Sequence, residues 1–274
     1  RPGGGALMRR VGVVAASIVL VVMVGMAIVP GLFTAGDPLV TDLRSALLPP
    51  SAGHIFGTDQ SGRDVFTRVV YGARTSIGIG VAAALLAVVT GLLLGVGIGL
   101  APRPVGIVAM RGVDVLLAFP EFLVALVVVA VLGPSPVTVA LAVTIAAVPV
   151  YIRLARAHTV TLRQAEHVES AYLLGVPRPL AVMRHVLPAV AGSLSVLATI
   201  GVGTAMLAAA GLSFLGLGPT EPAPEWGLMM SGGRNVLGQA WWIAVFPGLA
   251  VTLTVISLSV IGRGLRARVE GNRA

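Results

Sequence analysis

Glu169-Ser170-Ala171-Tyr172-Leu173-Leu174-Gly175, closed further on by Val186-Leu187-Pro188, lies between two apolar stretches that are each long enough to cross a bilayer. The stretch is too polar for hydrocarbon, because Arg163, Gln164, Glu166, His167, Glu169, Arg178, Arg184 and His185 fall in or beside it. Ala165, Val168, Tyr172 and Val176 recur at steps of three and four, which gives a short helix one apolar face. Gly175 offers a left-handed stop, and Pro177 and Pro179 keep the helix from running on. A second helical piece, from about 180 to 187, returns the chain to the membrane at Pro188. A polar amphipathic segment held between two spans either lies on the headgroups or touches something soluble.

The setting of this segment follows from composition. The 274 residues are 56% hydrophobic and 11% charged, whereas soluble domains carry about a quarter charged residues. Lipid is therefore the solvent for most of the chain. Cysteine is absent, which excludes disulfides and thiol chemistry. The net charge is +8 and every basic residue is Arg. The charge sits in loops between apolar runs, so the positive-inside rule accounts for it better than nucleic-acid binding does. With no Lys there is no Walker-type phosphate loop, and no Gly-x-Ser-x-Gly elbow occurs. His54, His158, His167 and His185 lack metalloprotease spacing, and His54, Asp59 and Asp64 do not match a metal loop. Catalytic and metal-binding residues are thus not expected.

Six runs are long and apolar enough to span: about 11–33, 76–100, 112–132, 137–157, 189–217 and 240–262. The expected fold class is an all-α integral membrane protein of six transmembrane helices, forming one domain. Residues 159–188 form a polar loop on one side. Residues 34–75 and 218–239 form two loops on the other. Arg1, Arg9, Arg10, Arg103, Arg111, Arg153, Arg156, Arg163, Arg178, Arg184, Arg263, Arg266, Arg268 and Arg273 fall on the side of the polar loop. Only Arg44, Arg63, Arg68, Arg74 and Arg234 fall opposite, so the polar loop and both termini are expected in the cytosol of a multi-pass cell-membrane protein. The first apolar run is longer than a signal-peptide core, which favours a span.

Within this frame several residues stand out. Gly78, Gly80, Gly91, Gly95, Gly97 and Gly99 suit close helix contact in lipid. Ser193, Ser195, Thr199 and Thr204 suit either helix contact or the lining of a wet path. Glu121, after Phe119-Pro120, either starts a helix at the interface or is a functional carboxylate within the membrane. Asp59 or Ser61 is expected to cap a helix, with Asp64–Arg68, Arg68–Tyr71 and Arg111–Asp114 as helical side-chain pairs. Pro149 is expected to kink the fourth span. Trp226, Trp241 and Trp242 are expected in the outer headgroup belt.

Glu169, Ala171, Gly175, Leu187 and Pro188 resemble the cytoplasmic EAA loop of bacterial ABC importer permeases, with Ser170 where the motif has its second Ala. Gly57-Thr-Asp59-x-x-Gly62-Arg-Asp64, followed by Tyr71-Gly-Ala-Arg74, resembles the C-type permease subunit of the dipeptide, oligopeptide and nickel ABC importers. Arg111-x-x-Asp114 with Phe119-Pro-Glu121 resembles the same subunits, as do 212–219 and Pro224-Glu-Trp226-Gly. The resemblance implies a type I ABC importer permease fold. It implies a coupling helix seated in a groove of an ATPase subunit, with Glu166, Glu169, Ser170, Ala171, Tyr172, Gly175, Leu187 and Pro188 as the coupling residues. It also implies partners: a homologous second permease subunit, two ATPase subunits and an external substrate-binding protein. ATP and Mg would belong to the ATPase subunits, leaving this chain without a cofactor. Glu121, Ser193, Ser195, Thr199 and Thr204 are the candidate pathway residues. The implied cargo is di- or oligopeptide, with nickel or a nickel chelate as the alternative. An intramembrane hydrolase using Glu121 or Asp114 as base, or a passive channel, would want more polar groups at membrane depth than these spans supply.

Overall fold

A computed structural model describes residues 3–271, with side chains for 11–266 except His167 and Tyr172. Of the positions singled out above, the side chains of Arg1, Arg9, Arg10, His167, Tyr172, Arg268 and Arg273 lie outside the described residues. The chain runs α1 (Gly3–Ile28), α2 (Val65–Leu100), α3 (Arg103–Leu117), α4 (Glu121–Leu132), α5 (Pro136–Leu162), α6 (Glu166–Leu173), α7 (Arg178–Ala181), α8 (Leu187–Phe214), α9 (Trp226–Arg234) and α10 (Trp242–Gly271). No strand occurs among the described residues. Five helices or continuous helical runs are long and apolar enough to cross a membrane, and a bent pair makes up to six.

That bent pair corrects the third expected span. Instead of one helix over 112–132, α3 and α4 meet at 86°. The break falls at Ala118–Pro120, where Pro120 cannot donate a backbone hydrogen bond and becomes the N-cap of α4. Other boundaries shift as well. The second helix starts at Val65 rather than 76, because Asp64 accepts from the Thr67 N–H at 2.8 Å and caps it. The expected caps Asp59 and Ser61 do not serve there. Pro149 lies inside α5, which continues to Leu162.

Helix α2 is central because its small residues let neighbours come close. Gly91, Gly95 and Gly99 face Tyr151, Ala155 and Thr159 of α5 in register at steps of four. A Cβ on Gly95 would lie 2.5 Å from Ala155 Cβ, and one on Gly99 would lie 2.8 Å from Thr159 Cβ. In lipid, where burial of apolar surface gives little drive, such close packing holds helices together. Three apolar clusters run along the bundle. One gathers Val69, Met206, Trp226 and Trp242, a second Ile79, Val143 and Leu212, and a third Tyr151, Val168, Val186 and Leu194.

The loop 29–64 and the segment around α9 close one end of the bundle through buried polar contacts. Arg63 Nε donates to Asp59 at 2.6 Å and its Nη1 donates to Glu221 at 2.7 Å. Burial pushes the Arg63 guanidinium downward, but the Glu221 and Asp59 carboxylates outweigh it and hold the group above its ordinary value. Arg68, 1% exposed, lies 3.6 Å from both carboxylates and donates to the Pro38 and Pro222 carbonyls. Arg68 therefore pairs with neither Asp64 nor Tyr71. Asp64 instead faces His54 Nδ1 at 3.0 Å. Glu225 caps α9 and accepts from the Ser76 hydroxyl at 2.9 Å. Trp226 is 0% exposed and its indole N–H donates to Val69 O, while the Trp242 indole donates to Thr58 O. Trp226 and Trp242 are thus interior anchors and not headgroup residues; Trp241 alone of the three is exposed.

Candidate functional site

The opposite end of the bundle carries residues 163–188. Arg163 caps α5 and its Nη1 donates to Gly99 O at 2.9 Å, tying the start of the polar segment to the end of α2. Helix α6 then runs Glu166–Leu173, with Glu166 and Glu169 in its first turn, where negative charge meets the positive end of the helix dipole. Val168 and Ala171 are buried, and Val168 joins the cluster of Tyr151, Val186 and Leu194. Ala165 and Val176 are half-buried, so Ala165, Val168 and Val176 of the expected apolar face are sheltered, with Ala171 added, while the Tyr172 side chain lies outside the described residues.

The opposite face of α6 is open. Glu166, Glu169 and Ser170 are exposed, and Leu173 and Leu174 are 84% and 85% exposed at the tip. Gly175 has φ +82°, and Val176 N–H closes back onto Ala171 O at 3.0 Å. This is a left-handed helix stop with the long return bond of a Schellman motif. No neighbour lies within 4 Å of where a Gly175 Cβ would be, so its role is conformational.

The return to the bundle differs from expectation. A continuous helical run covers Arg178–Phe214, starting well before 189. It contains one π-helical turn, Val182–Val186, in which Leu187 N–H reaches Val182 O. Pro188 gives the reason: it has no N–H for Arg184 O, and its ring crowds that carbonyl, so the turn before it widens. Leu187 packs against the third cluster and Pro188 is exposed.

The five candidate pathway residues separate. Glu121 and Thr204 come together, lining two adjacent cavities of about 90 and 170 Å3 between α2, α4, α5 and α8. Ser193 lies in a different groove, of about 500 Å3, with His158 and Thr161 near the polar segment. Ser195 is exposed, and Thr199 faces Gly262 of α10. The hydroxyls of Ser193, Ser195, Thr199 and Thr204 each bond a backbone carbonyl of their own helix. Asp114 pairs with Arg153 at 2.5 Å rather than with Arg111. Tyr151 and Glu221 were not singled out from sequence. Tyr151 sits in an unremarked apolar run, and Glu221 is a loop residue whose partners lie more than 150 positions away.

Residues 87–272 match the family of binding-protein-dependent transport system inner membrane components. The chain belongs to that family. It is a multi-pass membrane protein with the all-helical type I ABC importer permease fold. It is 40% identical over 253 residues to the dipeptide transport system permease protein DppC of Alkalihalophilus pseudofirmus, covering 92% of this chain and 83% of that one. It is 38% identical over 253 residues to the probable D,D-dipeptide transport system permease protein DdpC of Escherichia coli, covering 92% and 85%. It is 43% identical over 221 residues to the glutathione transport system permease protein GsiD of Escherichia coli, covering 81% and 73%.

Proposed function

We propose that this chain is one of two permease subunits of an ATP-driven importer of short peptides, and that residues 163–188 couple it to ATPase subunits in the cytosol. The observation that carries the coupling role is the geometry of α6. Val168 and Ala171 fix the helix to the bundle, while Leu173 and Leu174 stand out from it almost fully exposed. Two adjacent exposed leucines at the tip of a helix whose other face is packed suit a partner's pocket. The arginine distribution supports a cytosolic position for this end and for both termini.

The peptide cargo rests on the relatives, whose names concern dipeptides, D,D-dipeptides and glutathione. These names do not favour nickel. The subunit contributes one wall of a pathway completed by a homologous permease. An external binding protein delivers peptide, and two ATPase subunits hold ATP and Mg. Their closure moves α6, whose Val168 packs in the third cluster with residues of α5 and α8, so the spans rock between two access states. No covalent chemistry is assigned to this chain.

Purification of the complex through a tag on this chain tests the reading. Two ATPase subunits and a second permease should co-purify, and binding protein loaded with peptide should stimulate ATP hydrolysis and uptake in proteoliposomes. A chain that purifies without ATPase subunits from cells expressing the whole operon would overturn it.

A further inference from the structure

Glu121 makes no hydrogen bond and no ion pair among the described residues. It begins α4, whose 12 residues end at the Gly133 turn. With Gly133 at the outer edge of the hydrocarbon, Glu121 would lie about 18 Å below it along the helix axis, in a layer about 30 Å thick. An uncompensated carboxylate at such depth is costly and calls for a partner.

Its surroundings limit what that partner is. Glu121 and Thr204 line both cavities, and Tyr151 and Gly201 line the smaller one with them. The Thr204 hydroxyl donates to Gly201 O, so its oxygen presents lone pairs to the cavity. The Tyr151 hydroxyl lies against Gly201, where a Cβ would collide with it. Among the described residues, Glu121 is the only charged one lining either cavity. The roughly half positive charge at the start of α4 offsets part of the carboxylate and leaves the centre net negative. The lining comes from four helices of this one chain, and Glu121 and Thr204 are themselves exposed, so the cavities open at the surface of this subunit.

A site with one carboxylate and two hydroxyl oxygens fits a primary ammonium, which has three donors and one charge. A divalent cation wants more anionic oxygens, and no group of three His, Cys, Asp or Glu side chains suited to a metal occurs among the described residues. We propose that Glu121, with the hydroxyl oxygens of Thr204 and Tyr151, forms a subsite on the pathway wall that receives the N-terminal ammonium of the transported peptide. This rests on the peptide-importer reading above and adds a chemical preference to the permease itself, downstream of the binding protein.

The test uses the complete complex in proteoliposomes with saturating binding protein and ATP. The probes are Ala-Ala and N-acetyl-Ala-Ala, matched for occupancy of the binding protein. Glu121→Gln should lower Ala-Ala flux about tenfold, the scale of one lost charge-assisted contact. Stimulated ATP hydrolysis should stay within twofold. Glu121→Asp should keep at least half the flux, and N-acetyl-Ala-Ala flux should change less than twofold in either variant. If the binding protein does not retain the acetylated peptide, the Gln and Asp variants decide alone. Ala-Ala flux within twofold of wild type in Glu121→Gln overturns the subsite, as does an equal fall in flux and ATP hydrolysis. Loss of the second permease subunit from the Glu121→Gln complex would make Glu121 an interface residue and overturn it as well. A wild-type complex that assembles but moves neither peptide would instead refute the peptide reading, and the subsite with it.

Discussion

Gly95 and Ala155 approach so closely that a Cβ on the glycine would lie 2.5 Å from the alanine Cβ. The contact sits in the middle of the Gly91, Gly95, Gly99 seam that holds α2 against α5. Gly95→Val should overpack this seam and destabilise the protein by about 1–3 kcal/mol. Gly97→Val on the same helix is the control, because nothing lies within 4 Å of its Cβ position. Thermal unfolding in detergent should separate the two, with the Gly95 variant melting several degrees lower. Equal melting temperatures would mean the seam is looser than described.

The buried clamp at the other end makes an asymmetric prediction. Asp59 is the buried carboxylate for both Arg63 and Arg68, whereas Glu221 is 48% exposed on its side. Asp59→Asn leaves two nearly buried guanidinium groups with the half-exposed Glu221 as their remaining carboxylate and should cost about 3 kcal/mol. Glu221→Gln, in a wetter position, should cost about 1 kcal/mol or less. Hydrogen exchange over residues 38–68 should rise sharply in the first variant and little in the second.

Gly175 tests whether the α6 stop matters through its backbone. Gly175→Ala forces a side chain into φ +82° with no steric clash, at a cost of about 1–2 kcal/mol. Binding-protein-stimulated ATP hydrolysis should fall while assembly persists. Gly175→Asn should recover part of the coupling, because Asn tolerates the left-handed region. Equal loss in both variants would point to a role for the bare glycine surface instead.

Much of this was legible in the sequence because membranes impose strong rules. Long apolar runs gave the spans, and Gly and Pro at 175, 177 and 179 marked the end of α6. The third span was not legible as a bent pair, since 112–132 is long and apolar enough to read as one span and only Pro120 hints at the break. Trp226 was misplaced because an aromatic near a loop carries the same local signal whether it anchors in headgroups or fills an interior. Its indole bond to Val69 O joins residues 157 apart, which no local pattern encodes. The meeting of Glu121 with Tyr151 and Thr204 was hidden for the same reason: four helices must assemble before those side chains share a cavity.

The most direct measurement exploits the absence of native cysteine. Leu174→Cys, labelled with a benzophenone maleimide and irradiated in the assembled complex, gives one attachment point at the tip of α6. An adduct with an ATPase subunit is the predicted product. Adducts with lipid or with the external binding protein, and none with an ATPase subunit, would contradict the coupling role.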